Sequence, residues 1–488
     1  MQGHTARSGY WAAAIAAIVL AGLMLRALAY SPFEISHADE IMQYLEQGKR
    51  LATGHGIVPW EYRYGARNGL IAQLLALPWW LGERLAPSTL LAMHLSRALF
   101  LALTLLALPA AWRLGALTSR AHAFAALAVA ALWYESVLFS TLLLSEVLAT
   151  GLIALAAALL LDPVRSAARL RWAGLLLGLG VVVRLQYAPF AAVLALTVLR
   201  LDWRSWGQLA LGGLVAALIG GISDLGMGRW PFEWIWVNLA YNLGDSRAAR
   251  FGESGPLEYA RLLLLHLGPA APFILAGAVL SPPRYRPLVL AIVANLVFHS
   301  LIAHKEYRFV WLSTFLIVVL AAIASVSLAR RLAEARGRSL APWMLAALGL
   351  VWLGASLAAE RQSGGARVLR GGSPIPLAAL DALKRPETCG IAIPDQWRAH
   401  LVPALLPRAV PLYVAPEAVM EGKQALPAGV ASAADALVFP ALPAGATGYA
   451  AAGCKANAVL KACLYVRPGP CKPDPHWTYQ AALEREDL

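Results

Sequence analysis

The chain has 488 residues, of which 59% are hydrophobic and 14% charged, and its formal net charge is +13. A mean hydropathy of +0.59 is too high for a soluble globular protein of this length and indicates a polytopic membrane protein. Lys and Arg are concentrated in short loops between apolar runs, so the positive charge reads as a topology signal and not as a nucleic-acid footprint.

The first apolar run, near residues 10–30, is long and lacks a convincing small-residue cleavage site, so it reads as a spanning helix and not a signal peptide. Short basic loops follow at Arg113–Arg120, Arg165–Arg171, Arg200–Arg204, Arg284–Arg286 and Arg330–Arg338. Placing all five on the cytoplasmic side gives about eleven spanning segments by the length rule, with the N-terminus inside and the C-terminus outside. The stretch between Arg171 and Arg200 is too short for two full spans, so it predicts either a broken helix pair turning near Arg184 or a re-entrant segment.

Three segments then fall on the outer side: residues 31–90, about 227–260, and the turn His304-Lys305-Glu306-Tyr307-Arg308-Phe309. In the first of these, Ile41, Met42 and Leu45 recur at helical spacing, and Trp60, Trp79 and Trp80 suit a membrane interface. Residues 339–358 read as the last span. Beyond it, residues 359–488 are more polar and richer in Pro and Gly, with strand-like runs "CGIAIP", "VPLYVA", "DALVFP" and "CLYVR", which predicts a small α/β domain. All four cysteines, Cys389, Cys454, Cys463 and Cys471, lie in that tail. On the outer side they predict disulfides, with three possible full connectivities; zinc is the alternative, although no CxxC pair is present. No solenoid-period repeat, Walker motif or dinucleotide-binding glycine motif is visible.

The chemistry-bearing residues cluster in the outer segments. Asp39 and Glu40 form an adjacent carboxylate pair just past the first helix, for which simple helix capping is the plain alternative. His304, Lys305 and Arg308 suit a phosphate, and headgroup anchoring is their plain alternative. Arg26, Arg97, Glu146, Arg184 and Asp224 sit in or near apolar segments, where a charge is costly; five of them predict a polar cavity opening outward.

These segments carry a resemblance. "HKEYRF" is similar to the HKE-x-RF signature of glycosyltransferase family 22, the mannosyltransferases of the GT-C fold that act in N-glycan and GPI-anchor assembly. "HADEIMQYLEQGKRLATGHGIVPWEYRYGAR" resembles that family's H-x-DE and WEYR-containing first loop, and "DLGMGRWPFEWIWVNLAYNL" with "FGESGPLEY" resembles a third block, in the same order. Asp224-Leu225 departs from the family's DS pair, and the cysteine-bearing tail matches nothing in the eukaryotic enzymes.

The resemblance implies residues 1–358 as a GT-C transferase domain with catalytic external loop 31–90, and residues 359–488 as an added periplasmic domain of a bacterial relative in the inner membrane. It implies an inverting transfer of a sugar, mannose first, from a polyprenyl-phosphate donor to a glycan or glycolipid acceptor. One carboxylate base suffices when phosphate leaves, so Asp39 is assigned as base with Glu40 second. His304, Lys305 and Arg308 hold the donor phosphate. Glu306, Asp224, Arg184 and Glu146 support the site, and Trp60, Tyr62 and Arg63 wall the acceptor groove. A monophosphate donor needs no bridging metal, and no cofactor is expected. Arabinosyl or glucosyl transfer on the same fold, or a transporter or lipid flippase, are the alternative readings.

Overall fold

The computed structural model describes residues 2–244, 249, 251–368 and 371–487. Among them, six helices are long and apolar enough to cross a membrane: Trp11–Ala29, Leu91–Ala116, Trp203–Gly226, Glu258–Val279, Tyr307–Glu334 and Pro342–Ser363. A seventh candidate is the pair Arg120–Leu132 and Tyr134–Ser140, bent by 57° at Trp133, and Ser145–Leu161 and Leu185–Leu199 are shorter apolar helices. This is fewer full-length spans than the sequence predicts, because several apolar runs are interrupted.

The chain divides into two compact units: residues 1–30 with 101–365, and residues 31–100 with 366–488. The first outer loop thus belongs with the tail in one unit, a long-range grouping that residue order does not reveal.

In the first unit the breaks have identifiable causes. The helix Ala167–Val183 ends at Arg184, whose extended backbone (φ −145°, ψ 92°) leads into a 3-10 turn, Leu185–Tyr187, and the helix Ala188–Leu199. This is the broken pair predicted at that residue. The break at Trp133 frees carbonyls at a helix end, where no intrahelical donor remains. Arg26, which is buried, supplies one: Nη1 donates to Ala131 O at 2.8 Å and Nη2 to Ala130 O at 3.0 Å and Ser136 O at 3.1 Å. Arg26 is therefore a structural cap at this break.

Close helix packing relies on small residues, as is usual where no water drives association. A Cβ at Gly174 would lie 1.9 Å from Leu209 O, and one at Gly212 would lie 1.8 Å from Arg171 O, so the helices Ala167–Val183 and Trp203–Gly226 meet backbone to backbone. That contact, with the bond from Arg171 Nε to Gln208 Oε1 at 2.7 Å, gathers two basic loops at one end. Tyr285 OH joins a third and a fourth, reaching Leu114 O at 2.6 Å and Thr118 Oγ1 at 2.9 Å. The loop at Arg330–Arg338 lies at the end of Trp311–Glu334 opposite His304–Arg308.

The second unit contains a five-stranded mixed sheet, β1 (Ile391–Ile393), β2 (Leu412–Val414), β3 (Ala436–Phe439), β4 (Ala450–Ala456) and β5 (Lys461–Val466), in the order β2-β1-β3-β5-β4. β1 pairs in parallel with β2 and β3; β5 is antiparallel to β3 and β4. β1 and β3 are wholly buried, and their Ala392, Leu437 and Phe439 pack with Tyr413 of β2 in one core. β4, which the sequence analysis did not anticipate, is an exposed edge strand of Ala, Gly, Cys and Lys. Disulfides join Cys389 to Cys471 and Cys454 to Cys463. Cys454 and Cys463 face one another across β4 and β5.

Candidate functional site

In the first unit the site is built on the tight turn between the helices Arg286–Ser300 and Trp311–Glu334. Glu306 is its organiser. Arg308 donates Nε to Glu306 Oε2 at 2.7 Å and Nη2 to Oε1 at 3.0 Å, a bidentate pair with the guanidinium buried. His304 Nε2 lies 3.0 Å from Glu306 Oε1, and this hydrogen bond raises the His304 pKa above its ordinary value. Lys305 instead donates to the carbonyls of Ser254 at 2.9 Å and Ile302 at 2.6 Å.

The "FGESGPLEY" block packs against this turn. Ser254 N donates to Ala303 O at 3.0 Å, and His304 Nδ1 lies 3.1 Å from Gly252 O. Gly252 has φ +110°, a conformation open to glycine and strained for other residues. Tyr259, from the same block, lies within electrostatic reach of Arg184, Glu306 and Arg308. Two blocks singled out in the sequence are thus one structural feature.

Glu146 and Arg184 join it. Arg184 Nη2 is 3.2 Å and Arg308 Nη1 3.9 Å from Glu146 Oε1, and both guanidinium groups approach the Phe309 ring, at 5.0 and 5.1 Å. Among the described residues, Lys305, Arg184 and Arg308 gather here with Glu146 and Glu306, and the Glu258–Arg261 pair lies within electrostatic reach of Lys305. Asp224 does something else: its Oδ2 accepts from Phe232 N at 2.8 Å, closing the turn in which Phe232 adopts φ +66°. Of the five intramembrane charges, Arg26 caps a helix, Asp224 closes a turn, Arg97 pairs with Glu40 in the second unit, and Glu146 and Arg184 join Arg308.

Sequence reasoning missed Glu135 and His266. Glu135 is buried, accepts from Trp133 Nε1 at 3.1 Å, and lies 3.3 Å from His266 Nδ1. The His266 ring stacks on Tyr307 of the signature turn, with centroids 3.7 Å apart. Neither residue stands in a motif, so only the fold connects them.

In the second unit, Asp39 is half-buried at the entry to a π-helical turn, Glu40–Leu45, and its side chain makes no capping bond. Glu40 is fully buried, with Oε2 3.4 Å from Arg97 Nη2. Of the adjacent carboxylates, then, one is held in a buried ion pair and the other is partly accessible. Trp60 and Tyr62 are packed inside the unit, with Tyr62 OH donating to Gln43 O at 2.8 Å, and Arg63 lies against the Tyr64 ring. Glu61, between them, is buried and accepts from Gln43 Nε2 at 2.6 Å; burial pushes its pKa up to about 7, and the charge of Asp39 adds to the rise. Glu61 is a further residue the sequence analysis passed over.

Among the described residues, one Cys and carboxylate group lies close enough to share a metal ion, Cys389, Asp435 and Cys471, and its two sulfurs are joined in a disulfide.

A family model for the Alg9-like mannosyltransferase family matches residues 17–370. The chain is 34% identical over 110 residues to zebrafish (Danio rerio) GPI alpha-1,2-mannosyltransferase 3, covering 22% of this chain and 19% of that one. It is 29% identical over 108 residues to the human (Homo sapiens) protein of that name, covering 21% and 19%. The aligned stretch thus spans about a fifth of those relatives. In fold, the chain is similar to ArnT from Cupriavidus metallidurans in the apo state, with a TM-score of 0.58 at 13% identity over 94% of this chain and 98% of that one. For ArnT bound to undecaprenyl phosphate the TM-score is 0.55 at 14% identity, over 94% and 99%. The architecture is that of the GT-C membrane proteins.

Proposed function

The chain belongs to the Alg9-like mannosyltransferase family, and we propose that it is an inverting membrane glycosyltransferase that moves mannose from a polyprenyl-phosphate donor to a glycan or glycolipid acceptor. The observation that carries this reading is the cluster in which Arg184 and Arg308 meet Glu146 and Glu306 beside Lys305 and His304 of the signature turn. Charge-assisted donors of this kind bind phosphate oxygens, and the phosphodiester of a polyprenyl-phosphate sugar offers such an anion. The family's activity and the two mannosyltransferase relatives support mannose. The fold neighbour solved with undecaprenyl phosphate supports a lipid carrier.

Arg308 and Lys305, with His304, hold the departing phosphate and stabilise the charge that grows on it as the bond from C1 breaks. Glu306 holds Arg308 and His304 in place. Asp39 takes the proton of the acceptor hydroxyl as that oxygen attacks C1, and Glu40, committed to Arg97, keeps a structural role. A phosphate leaving group needs no general acid, so the reading requires no metal and no cofactor.

We assign the site and the tail to the outer, periplasmic side of a bacterial inner membrane. Basic short loops at the other end of the helices and two disulfides in the tail support this orientation. Another polyprenyl-phosphate sugar, arabinose or glucose, is the alternative within the same fold.

The test is transfer of labelled mannose from synthetic polyprenyl-phosphate mannose in membranes carrying the wild-type protein or Asp39→Asn, with EDTA present. Transfer by the wild type that vanishes in the variant supports donor, base and metal independence together. No transfer by the wild type from the mannose donor, but transfer from an arabinose or glucose counterpart, replaces the sugar. Equal transfer by both proteins removes Asp39 from the mechanism.

A further inference from the structure

In the second unit the C-terminal segment grips the loop that carries Asp39 at several points. The Gln480 side chain accepts from Val58 N at 2.9 Å and donates to Val58 O at 3.3 Å. Lys49 Nζ donates to Pro403 O at 3.2 Å. Ser373 donates its hydroxyl, at 2.6 Å, and its N–H, at 3.2 Å, to the Glu34 carboxylate. The innermost point is Tyr479, which is fully buried: its hydroxyl is bonded to His400 Nδ1 and lies 3.5 Å from Met42 Sδ.

Met42 sits in the π-helical turn that begins directly after Asp39. Single π turns are uncommon and recur at functional sites, because the extra residue re-aims neighbouring side chains. A turn of that kind needs support, and here the support is polar. A buried phenol and a buried imidazole would each be costly alone, so their bond fixes one register between tail and loop in a way that apolar packing would not. His400 is also within electrostatic reach of Asp39; the other groups facing it are Asp395, Tyr479 and the Trp397 ring at 5.5 Å. Burial lowers the His400 pKa to about 4. The imidazole is therefore neutral at pH 7, and its tautomer sets which partner donates in the bond between Nδ1 and the Tyr479 hydroxyl.

We propose that His400 and Tyr479 are positioning residues for Asp39, so that the C-terminal domain is part of the catalytic apparatus and not an accessory that binds acceptor or partner. The proposal rests on the assignment of Asp39 as the base. Loosening the pair lets the turn relax and misplaces the carboxylate, and a displacement of about 1 Å can cost on the order of 10²-fold in rate.

The experiment uses the full-length protein in proteoliposomes with polyprenyl-phosphate mannose, comparing Tyr479→Phe, His400→Leu and His400→Asn. Tyr479→Phe removes only the hydroxyl. His400→Asn keeps an acceptor near the Nδ1 position, whereas His400→Leu does not. The expected result is a fall in kcat of about 10- to 100-fold for Tyr479→Phe and His400→Leu, with donor KM within about twofold, and partial recovery in His400→Asn. Wild-type kcat in all three, alongside loss of transfer in Asp39→Asn, overturns the positioning role and leaves the base assignment standing. An active Asp39→Asn overturns the base assignment itself. Should Tyr479→Phe fail to fold, the volume-conserving Met42→Leu probes the same contact from the loop side: reduced kcat supports the proposal, and an unchanged kcat overturns it.

Discussion

Arg308 and Glu306 stand two residues apart and meet in a bidentate pair, Nε to Oε2 at 2.7 Å and Nη2 to Oε1 at 3.0 Å. Glu306 also takes the Nε2 side of His304, so one carboxylate sets the geometry of both groups proposed to hold the phosphate. Glu306→Gln keeps the size and loses the charge. The expected result is a loss of about 10²-fold in kcat/KM, with Arg308→Lys losing at least as much because an ammonium cannot reproduce the fork. The variant also carries a pH signature. His304 is held in its charged form to higher pH by Glu306, so removing that charge moves the alkaline limb of kcat/KM to lower pH. A rate profile from pH 5 to 9 checks both points.

The two carboxylates at the loop entrance have different expected phenotypes. Glu40 is buried against Arg97, and removing one member of a buried pair leaves an uncompensated charge, at a cost of about 3–5 kcal/mol. Glu40→Gln should therefore lower the thermal midpoint in detergent, with lost activity following lost protein. Asp39→Asn should leave the midpoint within about 2 °C and abolish turnover, since Asn keeps the size of a half-buried side chain and removes a charge that opposes Glu61. Unfolding curves of both variants beside their specific activities separate the two roles.

What the sequence reveals and hides follows from the range of the interactions. The break at Arg184 is legible because two basic loops too close for a full helix hairpin force one. The signature turn is legible because charges there are costly and contiguous. Four strands are legible from short apolar, β-branched or aromatic runs, whereas β4 is an exposed edge of small residues with no such pattern. The bend at Trp133 has no Pro or Gly to announce it, and its stabiliser, Arg26, lies more than a hundred residues earlier in the chain. Glu135, His266 and His400 are single residues whose partners come from distant elements. Trp60 and Tyr62, expected as groove walls, are buried, and the tie of Tyr62 to Gln43 is a contact that residue order does not show.

Glu61 gives the second unit a pH dependence. Its folded pKa is about 7, above the ordinary glutamate value of 4.5, so between those values the folded state binds more protons than the unfolded state and stability falls as pH rises. The contribution of the protonated group is complete below about pH 4.5 and is lost as pH passes through about 7. Glu61→Gln keeps a neutral side chain at every pH. Wild type should therefore lose thermal stability relative to the variant between pH 5 and pH 8. A gap that stays constant over this range would show that Glu61 is ionised in the folded protein throughout.

The two disulfides should contribute unequally. Cys389–Cys471 links residues 82 apart and ties β1 to the segment after β5, whereas Cys454–Cys463 links residues 9 apart on paired strands. In the chain-entropy view the longer loop removes more freedom from the unfolded chain, with a typical range of about 2–5 kcal/mol for a native bridge. Cys389→Ser with Cys471→Ser should lower the midpoint of the tail's unfolding more than Cys454→Ser with Cys463→Ser. The longer bridge also sits beside Asp435, which accepts from Cys389 N at 3.0 Å and Gly390 N at 3.1 Å, so its loss exposes a buried carboxylate as well. Dithiothreitol should reproduce the larger shift and EDTA should produce none, because sulfurs joined in a disulfide are not thiolate ligands for a metal. A midpoint that falls with EDTA alone would restore the metal reading for these residues.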